Sequence, residues 1–219
     1  ITNDDFANRA PFPGVNRSVR SSNFGATQEG AEPYHCGDFG GASVWWTWTA
    51  PANLAVSVST AGSTIDSVLA VYTGADLGAL ASVGCNDDRL PGGVLSSEVS
   101  FNAVSGVTYQ IAVDGVNNGF SADQGSLTLS LVTTPANDLF SQRSALTGAF
   151  AETNGYNIRA SYEGGEPVHS SSGGDQSVWW TWTAPASGNA SITTRGSSFD
   201  TTLGVYTGTV VNNLTLVAS

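Results

Sequence analysis

Apolar and polar side chains alternate strictly through much of this chain. In "VWWTWT", Val44, Trp46 and Trp48 fall on one face and Trp45, Thr47 and Thr49 on the other, the period of a strand. "LAVSVST" sets Leu54, Val56 and Val58 against small residues, and "VTYQIAVDG" and "GSLTLSLV" alternate in the same way. "SVLAVYTG" is apolar on both faces, which predicts a central strand. Strand-like runs cover 98–103, 107–113 and 126–132. Gly-Ala, Asn-Asp, Pro-Gly-Gly and Asn-Asn-Gly turn signals punctuate them, and no segment holds a helical period of useful length. The pattern predicts an all-β fold, a two-sheet sandwich of jelly-roll or related topology.

The pattern also repeats. "SVWWTWTAPA" occurs at 43–52 and again, unchanged, at 177–186. At the same offset Asn3 matches Asn137, Phe6 matches Phe140, Glu32 and His35 match Glu166 and His169, and Asp66 matches Asp200. "VYTG" from Val71 returns at Val205. Self-similarity of this kind is the mark of a duplicated domain. Two tandem β-sandwich domains are expected, 1–134 and 135–219, with a boundary near Thr133, Thr134 and Pro135. Ser219 aligns with Cys85, so the second copy lacks the C-terminal strands of the first. Three explanations stay open. The chain is a piece of a longer array, its remainder lies beyond this sequence, or another chain supplies the missing strands.

The tryptophans take two roles. Trp46 and Trp48, with Trp180 and Trp182, face inward and read as core. Trp45 and Trp179 point the other way. They pack under a loop or form an exposed aromatic platform for a ligand such as a polysaccharide.

Composition narrows the function classes. The 219 residues carry a net charge of −11 and only 11% charged residues, too few for long surface helices. A chain this acidic is repelled by phosphate backbones, which argues against nucleic acid and favours hard cations. All seven basic residues are arginine, which removes lysine nucleophiles and Lys–Asn isopeptide cross-links. Apolar runs are strand-sized, so no membrane span is expected. The first residues, Ile-Thr-Asn-Asp, read as the start of a mature exported chain.

Cys36 and Cys85 have Ser170 and Ser219 as counterparts in the second copy. Joint loss fits a bonded pair, which closes a loop of about 50 residues and contributes roughly 3–4 kcal/mol on the chain-entropy account. Glu32, Asp66, Asn86, Asp87 and Asp88 sit in loops at strand ends and offer oxygen ligands for calcium. The competing reading has Asp66 and Asp88 capping turns. The Glu-Pro-x-His pairs at His35 and His169 lack a nucleophile elbow or HExxH spacing, and they read as loop histidines bonded to backbone. No catalytic residue is assigned.

Together "NDDFANR", "GEPVH", "SVWWTWTAPA", "STIDSVLAVYTG", "CNDD" and "VSGVTYQIAVDG" resemble the bacterial pre-peptidase C-terminal domain, and "IDSVLAVYTG" is also similar to the CUB sandwich. The resemblance covers the first copy nearly end to end and about two thirds of the second. It implies a non-catalytic extracellular β-sandwich, with calcium at Asp66 and the loop from Asn86 to Asp88. The function expected is a structural or adhesive extracellular or cell-surface module, bacterial, that joins neighbouring domains or self-associates into a filament by strand completion. The alternative is a carbohydrate- or protein-binding accessory module of a larger secreted hydrolase.

Overall fold

The computed structural model describes residues 1–88, 95–169 and 176–219. The Pro-Gly-Gly turn signal and Ser170 lie outside the described residues. The chain divides into two compact units, Ile1–Thr133 and Thr134–Ser219.

Unit 1 is an all-β sandwich. Its strands are β1 (Ala10–Pro11), β2 (Arg17–Ser22), β3 (Val44–Thr49), β4 (Leu54–Ser59), β5 (Ser67–Thr73), β6 (Ala81–Asn86), β7 (Glu98–Ala103), β8 (Thr108–Gly115) and β9 (Ser126–Thr133). They form a five-stranded sheet, ordered β1-β3-β8-β5-β6, and a four-stranded sheet, ordered β2-β9-β4-β7. Only β1 runs parallel to its neighbour; Pro11 and Pro13 confine it to the sheet edge, since proline cannot donate to a ladder. Register follows the alternation. Trp46 lies opposite Ile111 and Val44 opposite Val113, so one face of each strand is apolar throughout.

The core fills the space between the sheets. Val44, Trp46, Trp48, Leu69, Val71, Ile111 and Val113 meet Val56, Val58, Val99, Leu127, Leu129 and Leu131. The five-stranded sheet is buried on its outer face as well. There Trp45, Ala70, Tyr72 and Ala112 form a second cluster with Phe6, which arrives on a 3-10 turn at Phe6–Asn8. This second layer explains why "SVLAVY" is apolar on both faces: β5 is buried along nearly its whole length.

Unit 2 pairs β10 (Ser144–Leu146) in parallel with β11 (Trp180–Trp182), and β12 (Val205–Thr207) antiparallel with β13 (Thr215–Ala218). By sequence these are the counterparts of β1, β3, β5 and β6. In unit 1, β8 bridges β3 and β5. No strand among the described residues bridges β11 and β12. The inward tryptophans expected of this copy are accordingly less covered: Trp180 is half-buried and Trp182 is 36% exposed.

Candidate functional site

Two places in unit 1 gather side chains with chemistry. The first lies against the outer face of the five-stranded sheet. A turn at His35–Gly37 drops His35 onto β5, where its Nδ1 meets the Tyr72 hydroxyl at 2.8 Å and its Nε2 meets Glu32 Oε1 at 2.9 Å. The other Glu32 oxygen accepts from the Glu29 amide at 2.9 Å. A Glu29 oxygen in turn accepts from the Phe6 amide at 2.5 Å. Trp45 closes the cluster, edge-on to Phe6 at 5.1 Å and to His35 at 5.3 Å. Desolvation, then the Glu32 charge, pushes the Tyr72 hydroxyl up to about 12. Both His35 ring nitrogens and both Glu32 oxygens are satisfied from inside the protein, and His35 is 2% exposed, while the buried Trp45 Nε1 has no hydrogen-bond partner among the described residues.

Unit 2 builds the same arrangement. His169 bridges Tyr206 at 3.1 Å and Glu166 at 2.6 Å, and Trp179 stands edge-on to Phe140 at 5.1 Å. In both units the Trp carbonyl accepts an Asn side chain from the start of the repeat, Asn3 at 3.1 Å and Asn137 at 2.9 Å. Arg9 and Arg143 lie over the rings of Phe6 and Phe140, at 4.2 and 4.3 Å.

Several expectations change here. Trp45 is fully buried and Trp179 is 8% exposed, so neither is a ligand platform; the chain start and the Glu-Pro-x-His loop cover them. His35 and His169 bond to side chains instead of backbone. Glu32 spends both oxygens on this cluster and does not join the acidic residues farther along.

The second place is the end of the sandwich where β2, β6 and β8 finish and β3, β5 and β9 begin. Loops 23–43, 60–66 and 116–125 interlock there. Asp38 Oδ1 accepts from the amides of Gly40 at 2.7 Å and Asn117 at 3.0 Å, and Asn117 Nδ2 donates to the Gly40 carbonyl at 2.7 Å. Buried Asp114 receives the amides of Gly41, Ala42 and Gly115 at 3.0, 2.9 and 2.8 Å. Desolvation still raises its carboxyl, against the lowering effect of those amides and of His35. Gly40, at φ +53°, lies so close that a Cβ would sit 1.8 Å from Asp114 Oδ2. Cys36 and Cys85 are disulfide-bonded with Cα atoms 5.5 Å apart, which ties this loop to the end of β6.

Asp66, Asp87 and Asp88 meet at this end. Desolvation, then the charges of Asp88, Asp87, Asp123 and Asp38, raise Asp66; desolvation, Asp88 and Asp38 raise Asp87. Asp66 Oδ1 is buried with no hydrogen-bond partner among the described residues. Asn86 spends its side chain locally, on the Asp88 carbonyl and the Glu98 amide. Of the five residues expected to hold calcium, Asp66, Asp87 and Asp88 feel one another's charge, Asn86 bonds to the Asp88 backbone, and Glu32 belongs to the His35 cluster. Among the described residues no group of three or more His, Cys, Asp or Glu side chains is arranged to hold a metal ion.

No family model matches the chain, and no curated protein matches it. Several solved structures are similar to it, two of them as follows. One is the pre-peptidase C-terminal domain of a collagenase from Bacillus anthracis, 17% identical, covering 56% of this chain and 93% of that one at a TM-score of 0.35. The other is Aeromonas hydrophila PliG, a periplasmic inhibitor of g-type lysozyme, 19% identical, covering 56% and 95% at a TM-score of 0.35. The first is a domain of the type the sequence motifs resemble.

Proposed function

We propose that this chain is a non-catalytic extracellular module, structural or adhesive, that works beside other domains of a secreted or surface protein of bacterial type. The observation that supports it best is the state of Glu32, His35 and Tyr72. A general base must reach its substrate within hydrogen-bonding distance. His35 and Glu32 instead face each other beneath Trp45, with side chains 2% and 0% exposed. They act as a strut that fastens a loop to the sheet. The disulfide fits export, because such bonds persist in oxidising compartments. Among the described residues no helix is long and apolar enough to cross a membrane. The test is an assay of the full chain against protein and polysaccharide substrates. No turnover is expected; turnover that disappears in His35→Asn would overturn the proposal.

Calcium belongs to the same proposal, at Asp66, Asp87 and Asp88. Their mutual repulsion and the orphaned Asp66 oxygen support it. Calcium is expected to raise the thermal midpoint of the wild type and not of Asp87→Asn. Equal midpoints with calcium and with a chelator would remove the metal from the account.

A second reading is favoured by unit 2 alone. Among the described residues β11 and β12 each pair with one strand, and Leu216 and Val217 on β13 are 55% and 62% exposed. A strand from another chain, placed as β8 is in unit 1, would complete the sheet and link copies into a filament. Negative-stain microscopy of the full chain tests this. Filaments support strand exchange, and single particles at all concentrations argue against it.

A further inference from the structure

Unit 1 shows what the repeat puts between β3 and β5. There β8 lies antiparallel to both: Ile111 is opposite Trp46 and Val71, Ala112 opposite Trp45 and Ala70, and Gln110 opposite Thr47 and Tyr72. In unit 2 the flanking strands keep the same spacing. The rings of Trp45 and Tyr72, which hang from β3 and β5, have centroids 6.1 Å apart, and those of their counterparts Trp179 and Tyr206 are 6.2 Å apart. His35 lies 5.3 and 5.7 Å from its two rings, and His169 lies 5.1 and 5.7 Å from its own. The cluster of Phe140, His169, Trp179 and Tyr206 thus clasps β11 and β12 across a gap one strand wide, since strands two places apart in a sheet are separated by roughly 10 Å. No strand among the described residues pairs with the facing edges. Leu203 and Val205 are only half-buried, where Leu69 and Val71 are fully buried.

The gap sets the chemistry of the strand it takes. By the register of unit 1, a branched aliphatic side chain falls between Trp180 and Val205, where Ile111 falls between Trp46 and Val71. The next residue must be small. Ala112 sits in the buried cluster with Trp45 and Tyr72, and its counterpart would lie between Trp179 and Gly204. The residue before the aliphatic one reaches a carbonyl: Gln110 Nε2 donates to Gly74 at 3.0 Å, and Gly208 holds the matching turn, φ +135° against +123° for Gly74. Residues 107–115, "VTYQIAVDG", meet these demands. In this chain, however, β8 is paired along both edges, so a second copy could donate it only by opening unit 1. We infer that the gap between β11 and β12 docks a strand of a partner polypeptide with the Tyr-Gln-Ile-Ala-Val pattern of β8, antiparallel to both. Backbone ladders on both sides supply affinity, the alternate side chains supply specificity, and the preset spacing lowers the cost of ordering. The inference rests on the second reading above, that unit 2 takes a strand from another chain, and gives that strand its chemistry.

A labelled synthetic peptide of residues 107–115, added to the full chain, tests it by fluorescence anisotropy and hydrogen exchange. The peptide is expected to bind and to slow exchange in Trp180–Trp182 and Val205–Thr207 by about tenfold, with unit 1 unchanged because its own gap is filled. Ala112→Phe in the peptide is expected to weaken binding about tenfold, since a ring meets Trp179, and Gln110→Leu about fivefold through the lost carbonyl bond. Both changes are in the peptide, so the fold of the chain is untouched. A scrambled peptide, or the Ala112→Phe peptide, that binds as tightly as the native one would mean that the open edges pair without register, and would overturn the inference. Dimers that form without peptide and fall apart when it is added would reassign the gap to a second copy. Filaments seen by microscopy with no peptide binding overturn this occupant and leave strand exchange standing. Absence of filaments, together with unchanged exchange in β11 and β12, overturns both.

Discussion

Trp45 shows how far a single residue can be read from its neighbours in sequence. Alternation put it on the face opposite Trp46 and Trp48, and it lies there. Whether that face was wet depended on Phe6 and His35, distant in sequence and unmarked by any local signal. Because Trp45 is fully buried, Trp45→Ala is expected to cost about 3–5 kcal/mol in denaturant unfolding and to act through stability alone. Tyr72 gives a pH signature. An unfolded tyrosine ionises near its ordinary 10.0, whereas folded Tyr72 holds its proton to about 12. The folded state binds more protons across that window, so stability falls as pH rises from 10 to 12. Unfolding followed against pH is expected to show this decline, and Tyr72→Phe to lessen it.

At the scale of elements, β3, β4, β5, β7, β8 and β9 were all legible, because each alternates or is apolar throughout. The edges were not. β2, "RSVRSS", is largely polar, and β6 is mostly exposed, so neither carries a burial pattern to read. The disulfide was legible for a different reason: Cys36 and Cys85 lack cysteine counterparts in the second copy. It spans 49 residues and joins a long loop to an edge strand. Reduction, or Cys36→Ser with Cys85→Ser, is expected to lower unfolding stability by about 4 kcal/mol on the chain-entropy account. A thermal midpoint unmoved by reductant would show that the hydrogen bonds of Asp38 and Asp114 hold the loop unaided.

Across the whole molecule, burial is uneven. In unit 1, β5 and β8 are covered on both faces, while in unit 2 Phe140, Ala160 and Trp179 are the buried apolar residues among those described. Hydrogen exchange is expected to be slowest in β5 and β8 and fast throughout β10 to β13. Protection in β11 and β12 equal to that of β3 and β5 would mean their open edges are covered in solution. The sequence by itself determined the fold class, the principal strands and their inward faces, because a period of two and a buried face are local properties. The repeated motif likewise brought the same Asn, Phe, Glu, His, Trp and Tyr contacts to both units. Only the tertiary structure decided what those residues are for. The Glu-Pro-x-His loop folds over the outer face of the sheet, which seals Trp45 and commits Glu32 to His35. Those outcomes depend on which loop covers which face, a matter of long-range packing that no local spacing encodes.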